Sequence, residues 1–169
     1  IYAGESGNPI LQGGSTFPQR HRAVVLGGVN VIPRHLLTQT VTVWNKLDND
    51  DPIQANAYQK TVIRRVRYSE TDAIRIRASG LDDGNALLLY ISLNDSEPQD
   101  GRTFIGSDDF DNLREDLQKG FYTVRSGRDF VTLGESIEET PVAETVFRVM
   151  TVECKRAPDG RGFLRVVAQ

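Results

Sequence analysis

From residue 38 onward, apolar and polar residues alternate mostly with a period of two, which predicts strands. The densest stretch is 58–93. Tyr58–Tyr68, Ala73–Arg77 and Ala86–Leu93 all have β-strand composition. In the last of these, Leu87, Leu89, Ile91 and Leu93 fall on one face and Leu88 and Tyr90 on the other, so this strand is expected to be covered on both sides. Ile74 and Ile76 alternate with Arg75 and Arg77, which predicts one core face and one outer face. Arg64, Arg65 and Arg67 do not fit a single alternation, and a β-bulge would resolve the conflict.

Further strands are predicted at Thr40–Trp44, Phe121–Val124, Phe130–Leu133, Thr145–Glu153 and Phe163–Val167. Ser126-Gly127 reads as the turn of a hairpin joining Phe121–Val124 to Phe130–Leu133. Pro158-Asp159-Gly160 turns the last hairpin, and Gly80–Gly84 turns the chain before Ala86. Residues 94–106 and the acidic stretch 134–144 read as loops. One short helix is expected: Ser107 caps it, Asp108, Asp109 and Asp111 sit at its positive end, and Phe110, Leu113 and Leu117 form its apolar stripe. Lys119 lies at the negative end, with Gly120 closing it in the left-handed conformation. The fold class is mainly β: a small antiparallel β-barrel or sandwich with one short helix and an extended N-terminal arm.

The arm is residues 1–37 and the β-barrel domain residues 38–169. Glycine and proline punctuate the arm, and large apolar residues are few, so it is expected to order on an outside surface. Its Gly27-Gly28 precedes no helix pattern and is not a phosphate loop. A chain of 169 residues buries enough surface to fold without a staple. The single cysteine, Cys154, lies in an apolar run and reads as a buried structural thiol. No run of eighteen apolar residues is present, so no membrane partner is expected.

Catalytic chemistry is thin. His21 and His35 both lie in the arm and cannot by themselves complete a three-ligand zinc site. The Asp48-Asn-Asp-Asp51 run begins like a calcium loop, but Ile53 stands where glycine is needed and Gln59 where the bidentate glutamate belongs, so it reads as a solvated turn. No nucleophile or metalloprotease motif occurs. The expectation is a non-enzymatic protein without a cofactor.

Charge is the sharper feature. Sixteen arginines stand against four lysines at a net charge of -3. Residues 64–77 hold five arginines against Glu70 and Asp72, while residues 95–116 and the stretch Glu135–Glu144 are acidic. Basic strands beside Tyr58 and Tyr68 would suit single-stranded nucleic acid, but the weak overall charge favours a solvated or interface face. In a head-to-tail ring each subunit shows different faces to its two neighbours. The candidate interface residues are Arg64, Arg67, Arg75 and Arg77 on one face and Asp108, Asp109, Asp111 and Glu115 on the other.

A family resemblance adds to this. Val41–Lys46 followed by Tyr58–Ile63, then Leu88–Ile91, Lys119–Val124, Gly127–Gly134 and Val149–Val152, resembles a family of small structural proteins encoded in the head–tail module of tailed bacteriophages and prophages. The likeness spans roughly residues 39–156. The family pattern has a proline after the strand at Tyr90-Ile91, where this chain has Ser92, and a glycine near Arg65. The resemblance implies a virion component assembled in the host cytoplasm: a head-closure or neck protein forming a homo-oligomeric ring between the portal or adaptor proteins and the tail. Packaged DNA would pass through without sequence-specific binding. A tail terminator or capsid decoration protein is the alternative within that class, and a monomeric nucleic-acid-binding β-barrel is the alternative outside it. No catalytic residue is implied.

Overall fold

The computed structural model describes the backbone of residues 25–26, 29–30, 32–47, 57–77 and 80–169, with the side chains of 32–47, 57–70 and 86–169. The strands are β1 Val25–Leu26, β2 Val29–Asn30, β3 Gln39–Lys46, β4 Tyr58–Arg77, β5 Gly80–Ser92 and β6 Glu97–Pro98. They continue with β7 Thr103–Phe104, β8 Phe121–Tyr122, β9 Phe130–Leu133, β10 Val146–Arg156 and β11 Gly162–Ala168. The main sheet runs β3-β9-β10-β11-β5-β4 and closes through β3–β4, giving a six-stranded antiparallel barrel with β6 outside it on β4. Closure pairs each barrel strand on both sides over part of its length, while β10 beyond Met150 runs past β9, and the far ends of β4 and β5 run past β3 and β11.

The inward faces of these strands supply the core. Val41, Val43, Ile63, Val66, Leu87, Leu89, Ile91, Val131, Leu164 and Val166 are buried there. β-Branched residues dominate because they pack well on a pleated surface. β3 is buried on both faces. Thr42 Oγ1 donates to the Gly134 carbonyl at 2.8 Å and Trp44 Nε1 to Thr132 Oγ1 at 2.9 Å, so its outward polar atoms are satisfied. On β5, Leu87, Leu89 and Ile91 are fully buried, while Leu88 and Tyr90 are half-buried, with Tyr90 against Phe163 at 6.0 Å. The bulge expected among the arginines is present. Gln39 pairs with Val66 and Thr40 with Arg64, leaving Arg65 as the extra residue at φ 57°. A glycine would hold that conformation at least cost, and a β-carbon there is strained. The last hairpin also forms as expected, β10 pairing with β11 from Val149↔Ala168 to Arg156↔Gly162. Gly162 is required there, because a β-carbon would lie 2.0 Å from the Lys155 carbonyl oxygen.

Several expectations change. Gly80–Gly84 is not a turn: it lies in β5, paired residue for residue with Ala73–Arg77, so the connection shrinks to residues 78–79. Phe121–Val124 and Phe130–Leu133 do not form a hairpin. β8 pairs in parallel with β7, and β9 inserts between β3 and β10. The turn itself stays closed, with the Asp129 N–H donating to the Arg125 carbonyl and the Arg125 N–H to the Asp129 carboxylate, but that carboxylate also accepts from the Lys46 N–H of β3. The expected helix is two: α1 Ser107–Asp111 and α2 Glu115–Gln118. Asp and Asn are weak helix formers in its middle. Arg114 turns extended, and Gln118 Nε2 satisfies the freed carbonyls of Phe110 and Leu113. Gly106, not Ser107, is the N-cap residue, and Gly120 is not left-handed. The 94–106 loop contains β6 and β7. Cys154 is exposed, not buried, because β9 leaves β10 after Arg148 and no described strand covers the outer edge beyond that residue. The arm, apart from β1, β2 and residues 32–37, lies outside the described residues, as do the run 48–51 and the side chains of Ile74 and Ile76.

Candidate functional site

The predicted basic face lies along β4, but its members have different surroundings. Arg64 is 62% exposed and meets Glu135, 57% exposed, at 3.1 Å. Arg65, on the bulge, meets Glu97 of β6 at 2.7 Å, while Ser96 Oγ donates to its carbonyl at 2.5 Å. Arg67 is exposed and makes no ion pair with a described residue. Arg75 and Arg77 lie across from Asp82 and Gly80 in register, with side chains outside the described set. Beyond Glu70↔Leu87 neither β3 nor β11 accompanies these strands. From Thr71↔Ala86 to Arg77↔Gly80 they form a two-stranded ribbon that, among the described residues, is paired only with itself.

The predicted acidic face divides in the same way. Asp108 and Asp109 are exposed in the first turn of α1, and Glu115 is exposed in the first turn of α2. Asp111 is engaged inside the chain, accepting from Arg125 Nη1 at 2.5 Å and Arg128 Nη1 at 3.0 Å.

That engagement belongs to a buried network that periodicity could not place. Arg125 is 4% exposed and Asp129 0%. Arg125 donates twice to Asp129, Nη2 to Oδ1 at 2.8 Å and Nε to Oδ2 at 3.0 Å, the planar fork that suits a carboxylate. Its Nη2 also donates to the Lys46 carbonyl, and its guanidinium lies 5.4 Å over the Phe110 ring. Asp129 also accepts from the backbone N–H groups of Lys46 at 3.0 Å and Arg125 at 2.8 Å and from Asn45 Nδ2 at 2.9 Å. Asn45 Nδ2 donates further to the Thr123 carbonyl at 2.6 Å. Burial opposes the Arg125 charge, but the Asp129 hydrogen bonds and the charges of Asp129 and Asp111 outweigh it and hold the guanidinium above its ordinary value. Each Asp129 oxygen is already occupied, so the network is a tie between β3 and the 123–129 segment and has no oxygen left for acid–base work. The sequence signal was Arg125-Ser-Gly-Arg-Asp129, an opposite-charge pair across a turn, with Gly127 at φ 76°.

Residues 36–165 match the family of unknown function DUF6751. The chain belongs to that family. No curated protein and no solved structure matches it. The matched DUF6751 region runs from just before β3 into β11, so five of the six barrel strands, the first four residues of β11 and the Arg125 network fall inside it. Among the described residues no group of three or more His, Cys, Asp or Glu is placed to hold a metal ion, and no helix is long and apolar enough to cross a membrane.

Proposed function

We propose that this chain is a structural subunit of a phage virion, a head-closure or neck protein that forms a ring between the portal complex and the tail. The observation that carries the reading is the ribbon formed by residues 71–77 and 80–86, paired with no strand but itself among the described residues. An isolated two-stranded hairpin is marginal in water, so a ribbon of this length gains from a neighbouring surface. It carries Arg75 and Arg77, and the other end of the charge pattern is the exposed Asp108, Asp109 and Glu115. The ribbon also carries Asp72, Asp82 and Asp83, so it is the two arginines, not a net positive charge, that would meet the acidic helix ends, set register between subunits and disfavour wrong contacts. The resembling motifs also fall together. Val41–Lys46 on β3 pairs with Tyr58–Ile63 on β4, and Gly127–Gly134 brings β9 against the same strand.

Sedimentation velocity and negative-stain electron microscopy of the purified chain across a salt series test the reading. The expected result is a ring that loosens as salt screens the exposed charges. A monomer that binds single-stranded DNA, with affinity falling steeply in salt, would overturn it in favour of a nucleic-acid-binding barrel.

A further inference from the structure

β9 accompanies β10 only over Val146–Arg148. The turn at Ser126-Gly127 then covers Val149 and Met150, through Gly127 N–H to the Val149 carbonyl and Ser126 Oγ to that of Met150. Beyond Met150 the outer edge of β10 has no strand partner among the described residues. A groove of about 430 Å³ opens there, with Phe104, Val124, Val152 and the Cys154 thiol in its wall. Cys154 and Val152 stand opposite Leu164 and Val166 in register, so they continue the barrel's inward face to where nothing described covers it. Arg156 stacks on the groove's Phe104 at 6.0 Å and has no carboxylate partner among the described residues.

A second feature lies elsewhere on the surface. The loop after Gly134 is fastened to β3 and β4: Lys60 Nζ donates to the carbonyls of Ser136 at 3.3 Å and Glu138 at 2.9 Å, and the Ser136 N–H donates to Thr42 Oγ1 at 3.0 Å. Between those fastenings Ile137 stands 88% exposed, more than any other large hydrophobic side chain among the described residues. Glu138 and Glu139 beside it make no ion pair with a described residue. A lone exposed hydrophobe is ordinary. One held out on a backbone tied down on both sides is preorganised, and docks with little further loss of freedom. The loop is tied to Thr42, Lys60 and Arg64, none of which borders the groove, so Ile137 does not fill it within its own chain.

We propose that Ile137 of one copy seats in the groove beside Cys154 of the next copy, with Glu138 and Glu139 facing Arg156. The inference rests on the ring reading and names its contact. A pin and a socket on different parts of one chain make a heterologous interface, the kind that closes a ring. The signs agree at one point, the acidic loop meeting Arg156 beside the groove. An extended loop also suits an unpaired strand edge.

Cys154, the only cysteine, makes the test direct. In the full-length Ile137→Cys variant, mild oxidation is expected to give a ladder of disulfide-linked oligomers on non-reducing gels, because every copy carries both partners. The parent and the Ile137→Cys/Cys154→Ser variant have one thiol each and stop at dimers. Light scattering on the same samples separates the two readings. Assembled particles without a ladder overturn the pin and leave the ring standing, whereas monomers without a ladder overturn both. Ile137→Asp is expected to lose assembly at an unchanged melting temperature, since the side chain touches little of its own barrel. Assembly unaffected by that substitution would also overturn the proposal.

Discussion

Arg125 and Arg64 both face a carboxylate of their own chain, yet the two pairs serve different ends. Arg125 and Asp129 are buried, share two hydrogen bonds, and are braced by Asn45 and the Lys46 backbone. Arg64 and Glu135 meet once, in solvent, at the edge of a surface loop. A buried pair is costly to break because it strands a charge in low dielectric. An exposed one gives little to stability and leaves its members within reach of solvent. Identical chemistry thus holds the fold in one place and contributes little to it in the other, and burial decides which; in the proposed ring, only the exposed pair could also meet a neighbouring copy.

The contrast is sharpest if Asp129→Ala is made. Leaving Arg125 buried without its main counter-charge is expected to cost about 3–5 kcal/mol, read as a lower midpoint in urea denaturation. Asn45→Ala removes the brace and leaves the Thr123 carbonyl without its donor. A loss of about 1–3 kcal/mol is expected by the same measurement. A further test of the closed interior is alkaline titration. Burial, and next the nearby Cys154, push the Tyr122 phenol above its ordinary value. The folded state therefore keeps this proton after the unfolded chain has lost it. The contribution is complete below about pH 10 and is lost as pH rises through the folded pKa, at up to about 1.4 kcal/mol per pH unit. Tyr122→Phe is expected to flatten that alkaline slope, and an unchanged slope would place its origin elsewhere. At the surface, Arg64→Ala is expected to change stability by only about 0–1 kcal/mol. A loss as large as that of Asp129→Ala would erase the distinction between the two pairs.

Period-two alternation made the barrel strands legible because each buries one face. It also exposed the bulge, since three arginines could not share one face without an extra residue. What it could not show was pairing. The segments 121–124 and 130–133 both have strand composition, but β8 pairs with β7 and β9 with β3 and β10, and long-range pairings of that kind leave no local trace in the sequence. The 78–79 connection was hidden for a similar reason: glycines at 80 and 84 signal a turn locally, but register with Ala73–Arg77 makes them strand. Cys154 misled because an apolar run implies a covered strand, while cover depends on where the neighbouring strand stops. Among the candidate interface residues, Asp108, Asp109, Glu115, Arg64 and Arg67 are on the surface as their composition suggested. Asp111 is on the surface as well, but it is already paired with Arg125 and Arg128 of its own chain, which no spacing rule conveys.

In the proposed ring, Arg75 and Arg77 of the ribbon act between copies and not within the monomer. Reversing Arg75 and Arg77 to glutamate in the full chain tests it most directly, with particle mass by sedimentation velocity and melting temperature measured on the same preparation. The expected result is loss of the ring at an unchanged melting temperature. A double variant that assembles like its parent would contradict the claim.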